Sequence, residues 1–392
     1  MAEAVRRRRG AWRTPELRDD GREPHRVGWL ELFFDLVFVV IVAVLAADLD
    51  ETHDLLAFSL QFFAVFWVWN AFTYYTERFE SDGIEGRLFT FVGIVAVAGL
   101  AVWGHDGLGT NYIGFASSYL LARVLNIALW LRAGYYVSRF RRASLGFLGG
   151  FLVAAALLIV SFFVPAETRL TLWAAAVLVE IVTPAITGRL QVGLPPITED
   201  KFPERFGLFT MIVLGETVAE IIQSVATANA VERLSALTIS DAVLGLAIGF
   251  GMWWVYYDFI ARRPVRPRFF IALGWVYLHM AMLLGIVVVG VGIALALHAP
   301  GDPMEPFPRL LLFGGLGLTL VTIAAIETTL MRAPDEPTNA VISPALKAGV
   351  GLIMVALAAA GAPLTATEGF VVALAALAVP ATYGAIVWYR TN

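Results

Sequence analysis

Two carboxylates four residues apart, Glu31 and Asp35, stand at the start of the first apolar segment of the chain, "VGWLELFFDLVFVVIVAVLAADL" (Val27–Leu49). One helical turn apart, they share a face. Such a pair can pass a proton, hold a cation or do acid–base work. A second pair with the same spacing, Glu216 and Glu220, lies in "FTMIVLGETVAEIIQ". Apolar stretches also hold Arg123 ("SYLLARVLNIALW"), Glu180 ("AVLVEIVTPAI", with Pro184 one turn on) and His279, while Asn70, Asn126 and Gln223 add neutral hydrogen-bonding capacity. An ionisable side chain in hydrocarbon costs several kcal/mol, so each of these is a functional candidate. Glu31 has a competing role, because a carboxylate in the first turn is favoured by the helix dipole. Asp35, Glu180, Glu216 and Glu220 are four deep acids, set against the obligate cation Arg123 and the titratable His279. At low dielectric they cannot all be ionised. Protons or a bound cation must balance them, and either suits proton or cation movement. The competing reading is a static network that locks helices together, with Arg123 paired to an acid that the sequence does not identify. Glu327 and Lys347 lie near a helix end and read as boundary residues, with Lys347 long enough to snorkel.

The elements that must position these groups follow from composition. Of 392 residues, 59% are hydrophobic and 15% charged, and the mean hydropathy is +0.75. Soluble domains are roughly 45–50% apolar and about 25% charged, so the expected class is an all-α polytopic membrane protein. A span needs roughly 20 apolar residues. About twelve segments qualify, near 29–48, 55–77, 87–104, 112–134, 145–164, 169–188, 205–229, 239–261, 269–298, 308–331, 343–362 and 367–389. With the N-terminus placed in the cytosol, 24 of the 28 basic residues fall in cytosolic segments and 3 in outer ones, Arg123 being the one inside a span. That alternation predicts both termini inside. The expected organisation is a disordered basic tail over 1–27, a six-helix half over 28–188, a Pro-rich cytosolic linker over 189–204 and a second six-helix half over 205–392. The tail carries "RRRR" at Arg6–Arg9, which can meet anionic lipid head groups.

An internal repeat is suggested by two aromatic helix ends. "FWVWNAFTYYTERF" contains Trp69, Tyr75, Glu77 and Arg78, and "GMWWVYYDFIARR" contains Trp254, Tyr256 and Asp258. Asp35 precedes Glu77 by 42 residues, as Glu216 precedes Asp258. This register maps Asp35 onto Glu216. A second register maps Glu31/Asp35 onto Glu216/Glu220 and Trp69 onto Trp254. Depth favours the first, because Asp35 and Glu216 lie about 10 Å and about 16 Å inside their helix starts, against about 22 Å for Glu220. Aromatic residues also gather at membrane interfaces without any repeat.

Other chemistry is sparsely represented. The chain has no cysteine, which excludes disulfides, thiolate metal sites and a cysteine nucleophile. There is no phosphate-binding glycine loop and no HExxH. The glycines of "GLGLTL" (Gly315–Leu320) and "GVGLI" (Gly349–Ile353) read as close helix contacts. His53 and His105 lie near Asp50, Glu51, Asp54 and Asp106 in outer loops and read as solvated residues before metal ligands. The run Arg262–Arg268, broken by Pro264 and Pro267, reads as a basic loop and not a nucleic-acid patch. No cofactor and no metal are expected. The expected partners are the lipid bilayer and a small solute or ion.

Three segments resemble the bacterial low temperature requirement protein A (LtrA) family: "WLELFFDLVFV" (Trp29–Val39), "YYTERFESD" (Tyr74–Asp82) and "ERFGLFTMIVLGE" (Glu204–Glu216). The similarity extends over essentially the whole chain after the tail. One departure is Lys201, near where family members often carry a histidine. The resemblance implies a multi-pass protein of the bacterial inner membrane with a role in cold or stress adaptation, and it supplies no substrate. Taken with the acid excess, it leads to the expectation of a proton- or cation-linked transporter or ion-conducting protein, with Asp35 and Glu216 lining a polar path and Glu31, Glu220, Arg123, Glu180 and His279 as partners. Alternatives are an intramembrane enzyme acting on lipid, against which stands the lack of a nucleophile, and a non-catalytic scaffold or sensor.

Overall fold

A computed structural model of the chain describes residues 14–17, 27–80, 83–191, 201–231, 235–261, 263–332 and 336–391. Its helices are α1 (Trp29–Thr52), α2 (Leu55–Arg78), α3 (Ile84–Val102), α4 (Tyr112–Tyr136), α5 (Arg141–Ser161), α6 (Ala166–Gln191), α7 (Lys201–Val231), α8 (Ala236–Phe259), α9 (Phe269–Ala296), α10 (Pro306–Arg309), α11 (Gly315–Thr329), α12 (Ile342–Ala360) and α13 (Ala366–Thr391). A π-helical turn, Leu310–Gly314, joins α10 to α11, so these form one span and twelve helical segments are long and apolar enough to cross a membrane. All twelve coincide with the expected spans.

Local chemistry explains where the helices start and stop. Asp54 Oδ1 accepts from the amides of Leu56 and Ala57 and caps α2. Ser235 caps α8 through the Thr238 amide. Thr365 and Glu368 exchange side-chain-to-amide bonds in a capping box that opens α13. Gly361 ends α12 with φ of 70°, a left-handed conformation open to glycine at little cost.

Helix surfaces are apolar on both sides, as a bilayer requires. On α1, Phe34, Asp35, Phe38, Ile41 and Leu45 are enclosed, whereas Phe33, Leu36 and Val40 are exposed. Lipid meets the second set.

The chain forms two compact units. The first comprises residues 1–41 and 60–197, the second 42–59 and 198–392. The turn between α1 and α2, with the adjoining ends of both helices, groups with the second unit. In the first unit α3, α4, α5 and α6 pack in series. In the second, α9 packs on α7 and α11, α11 on α12, α12 on α13, α13 on α8 and α8 on α7. The order α9–α11–α12–α13 thus parallels α3–α4–α5–α6. Close approach in the second unit uses the expected glycines. A Cβ on Gly315 would sit 3.0 Å from the Gly285 carbonyl oxygen of α9, and one on Gly317 would sit 2.7 Å from the Gly351 carbonyl oxygen of α12.

Two expectations need correction. Glu16–Leu17, inside the tail expected to be disordered, pair antiparallel with Phe79–Glu80, and the remainder of the tail up to residue 26, apart from 14 and 15, lies outside the described residues. Lys347 does not snorkel: it is fully enclosed and bonded to Glu327, because a carboxylate within the protein offers its charge more than the distant interface does. Residues 192–200 of the linker and the side chain of Lys201 also lie outside the described residues.

Candidate functional site

In the first unit, the opening carboxylate pair divides. Glu31 Oε2 accepts from the Gly28 amide at 2.9 Å and caps the start of α1. Asp35 is fully enclosed, and its Oδ1 accepts from Trp69 Nε1 of α2 at 2.8 Å. An indole nitrogen can only donate, so this bond ties a carboxylate to α2 in one direction.

Arg123 finds its partner in Glu180. Its Nη1 lies 3.2 Å from Glu180 Oε2, with both side chains enclosed. Tyr119, one turn before Arg123 on α4, donates its hydroxyl to the same oxygen at 2.5 Å, and the Arg123 guanidinium carbon sits 4.8 Å from the Tyr119 ring centroid. An ion pair closed by a phenol and a ring face is a compensated arrangement.

The aromatic helix ends are built differently in the two units. On α2, Tyr75 packs against Phe79 at 5.0 Å and Glu77 is enclosed, while Arg78 Nη2 bonds the Tyr74 hydroxyl at 3.2 Å. On α8, Trp254 Nε1 donates to Asp258 Oδ2 one turn along its own helix at 2.6 Å. Trp69 reaches an acid on another helix and Trp254 an acid on its own, so neither register carries this bond from one unit to the other.

His279 is enclosed on α9. Its Nδ1 lies 2.8 Å from the Trp275 carbonyl oxygen and its Nε2 3.2 Å from the Tyr256 hydroxyl. A carbonyl only accepts, so Nδ1 carries a proton, and Nε2 is paired with the Tyr256 hydroxyl. Trp275 and Phe206 cover the ring at 4.0 and 5.2 Å between centroids. His279 is thus tied into the packing of α8 and α9, and both of its nitrogens are bonded to groups other than the acids.

The pair on α7 differs from all of these. Helix α7 docks on α9 through Thr217 Oγ1 to the Ile286 carbonyl at 3.4 Å and Ser224 Oγ to the Ala294 carbonyl at 3.2 Å. Gly290 of α9 leaves room for Thr217, which would lie 3.1 Å from an added Cβ. Beside this seam stand Glu216, 8% exposed, and Glu220, half-buried. They act on each other electrostatically, and Asp50 at the end of α1 acts on Glu220 as a third acid. Beyond Asp50 come His53 and His298, both in electrostatic reach of its carboxylate. Asp50 Oδ1 is shielded from solvent with no hydrogen-bond partner among the described residues. Among the described residues neither Glu216 nor Glu220 has an ion-pair partner.

Some buried ionic groups were missed in the sequence. Glu327 of α11 bonds Lys347 Nζ at 2.9 Å, Ser343 Oγ at 2.8 Å and Arg263 Nη1 at 3.3 Å. Arg263 also bonds Glu336 and Thr338. Asp241 of α8 is enclosed and accepts from the Thr367 hydroxyl at 2.6 Å. The available signal for Glu327 and Lys347 was opposite charge on two consecutive spans at matching distance from the turn between them. The loop residues have local uses: Asp106 accepts from the Thr110 amide and hydroxyl, and His53 stacks on Phe307 at 4.4 Å. No cluster of three or more metal-ligating side chains occurs among the described residues.

The chain is 27% identical over 314 residues to an uncharacterized protein, RA0937, of Rhizobium meliloti (strain 1021), covering 73% of each chain. Residues 26–381 match the family described as bacterial low temperature requirement A protein (LtrA), a stretch running from just before α1 into α13. A multi-pass helical protein with this match over nearly its whole length belongs to the LtrA family.

Proposed function

We propose that the protein is a proton- or cation-linked transporter whose exchange site is the α7 pair Glu216 and Glu220, with Asp50 as the next acid toward the helix end. The observation that carries this reading is the contrast among the deep acids. Asp35 holds Trp69, Glu180 holds Arg123 and Tyr119, and Glu327 holds Lys347 and Arg263. Glu216 and Glu220 stand together, one turn apart, with a third acid and no ion-pair partner among the described residues. Adjacent carboxylates in a low-dielectric setting bind a shared proton or cation readily and release it when the setting changes. The distribution of arginine and lysine supports a bacterial cytoplasmic membrane location with both termini inside.

The test is flux in liposomes holding the purified full chain, under an imposed pH gradient and then under sodium and potassium gradients. The expected result is protein-dependent flux that falls by about tenfold or more in Glu216→Gln/Glu220→Gln, in line with losing a group that carries the ion. Absence of flux under every gradient, or undiminished flux in the double variant, refutes the reading.

A further inference from the structure

The turn between α4 and α5 lies wholly inside the first unit, at one end of two membrane-spanning helices. It is short: Val137 caps α4, one 3-10 turn covers Ser138–Phe140, and α5 starts at Arg141. Its inner side is firmly packed. Phe140 is enclosed against Trp130 and Phe79, at 5.3 and 5.0 Å between ring centroids, and Ser144 Oγ donates to the Trp130 carbonyl at 2.6 Å. A Cβ on Gly134 would meet Ser144 Oγ at 2.6 Å, so glycine lets the two helices close here.

The outer side of the turn carries one sign of charge. Arg139, Arg141 and Arg142 are exposed, and beside them Tyr135 and Tyr136 are 73% and 53% exposed. Neither Arg141 nor Arg142 has an ion-pair partner among the described residues. Arg141 is nevertheless held in place. Its Nε donates to the Gly134 carbonyl at 3.1 Å and its Nη2 to the Tyr135 carbonyl at 3.4 Å, which sets the cation on the last turn of α4, where the helix dipole favours it. Two of its five N–H groups are used in this way, and three are left for an outside acceptor. The two tyrosine rings meet edge to face at 5.0 Å. Tyrosine is an amphipathic ring suited to headgroup depth. The bias of arginine toward one side of a membrane explains charge at a helix end; it does not ask for a guanidinium fixed beside two exposed rings.

We propose that this turn docks the headgroup of an anionic phospholipid, with Arg141 and Arg142 on the phosphate and Tyr135 and Tyr136 against the glycerol and upper acyl chain. A guanidinium fork matches phosphate oxygens two at a time. A headgroup with net negative charge takes the arginines as its counter-ions, whereas a choline headgroup brings a cation of its own. The source is the bilayer, because the rings beside the arginines offer apolar contact that a free phosphate does not use.

Native mass spectrometry tests this on the full chain, purified in detergent and titrated with phosphatidylglycerol or with phosphatidylcholine of the same acyl chains. The expected result is a tight phosphatidylglycerol site with no equal for phosphatidylcholine. Its dissociation constant should rise about fivefold in Arg142→Gln and about thirtyfold in Arg141→Gln/Arg142→Gln. Arg142 is exposed and stands outside the α4 cap, so its replacement spares the fold. Arg268→Gln removes an exposed arginine of the second unit and is expected to leave this site unchanged. Equal binding of the two lipids, an unchanged constant in folded Arg142→Gln, or the same loss in Arg268→Gln overturns the proposal. Displacement of the lipid by millimolar inorganic phosphate also overturns it, since that marks a site for a free anion.

Discussion

Lys347 Nζ stands 2.9 Å from Glu327 Oε2, and neither side chain reaches solvent. The ammonium also lies 3.4 Å from the Phe259 ring centroid and 2.7 Å from Ser343 Oγ. Arg263, from the segment after α8, approaches the other Glu327 oxygen at 3.3 Å and is itself balanced by Glu336. One carboxylate of α11 therefore serves cations from two different parts of the second unit. Two acids and two bases leave the cluster with no net charge.

Removing one member should be costly. Lys347→Met leaves the cluster with an excess negative charge in an enclosed place and is expected to destabilise the protein by about 3–5 kcal/mol. Lys347→Met/Glu327→Gln restores charge balance and should recover much of that loss. Chemical unfolding of the purified variants in detergent measures both. A double variant as unstable as the sum of the singles contradicts the network.

Trp69→Phe keeps an aromatic ring at the α1–α2 contact and deletes the indole N–H that Asp35 accepts. A hydrogen bond to a charged group contributes about 1.5–3 kcal/mol, so a loss of stability of that size is expected from the same unfolding measurement. Wild-type stability would mean that the bond to Asp35 contributes nothing.

His279 is expected to behave as a structural residue. His279→Phe deprives the Tyr256 hydroxyl and the Trp275 carbonyl of a partner and should cost about 1–3 kcal/mol. Any flux found in liposomes should persist once the yield of folded protein is matched. Flux abolished in a folded His279→Phe protein would place the residue on the ion path and contradict its fully bonded setting.

The Thr110 hydroxyl and amide hold the Asp106 carboxyl below the usual carboxylate range. A depressed folded value means that the ionised form is the stabilising one. The contribution is present above the unfolded value of about 3.9 and is lost as pH falls through the lower folded value. Protection of the Thr110 amide, its exchange rate relative to the intrinsic rate at each pH, should be high at neutral pH and fall as the pH drops below about 3.9 and through the lower folded value. Asp106→Ala should show the low protection at all pH values. No change of protection with pH in the wild-type protein would rule out this coupling.

The twelve spans and the use of Gly315 and Gly317 were legible in the sequence. Each depends on a property that is local along the chain: an apolar run long enough for the bilayer, a missing side chain on a helix face. The role of Glu31 was legible for the same reason, because a helix start is a local event. Lys347 was misjudged because its distance from the helix end is the same whether its amine reaches the interface or bends to Glu327.

Partnership was decided by the tertiary structure. The sequence supplied four deep acids and Arg123, and nothing in it favoured Glu180 over Asp35 or Glu216 as the partner of that arginine. The fold set that choice by bringing the side chains of Tyr119 and Arg123 on α4 and Glu180 on α6 to one place, while it left Glu216 and Glu220 beside the α7–α9 seam without an ion-pair partner among the described residues. The cost of burying a charge is written in residue type and position, so the sequence determines which groups must be compensated. Compensation is a matter of a few ångströms between atoms distant in the chain, so only the folded packing determines what compensates them.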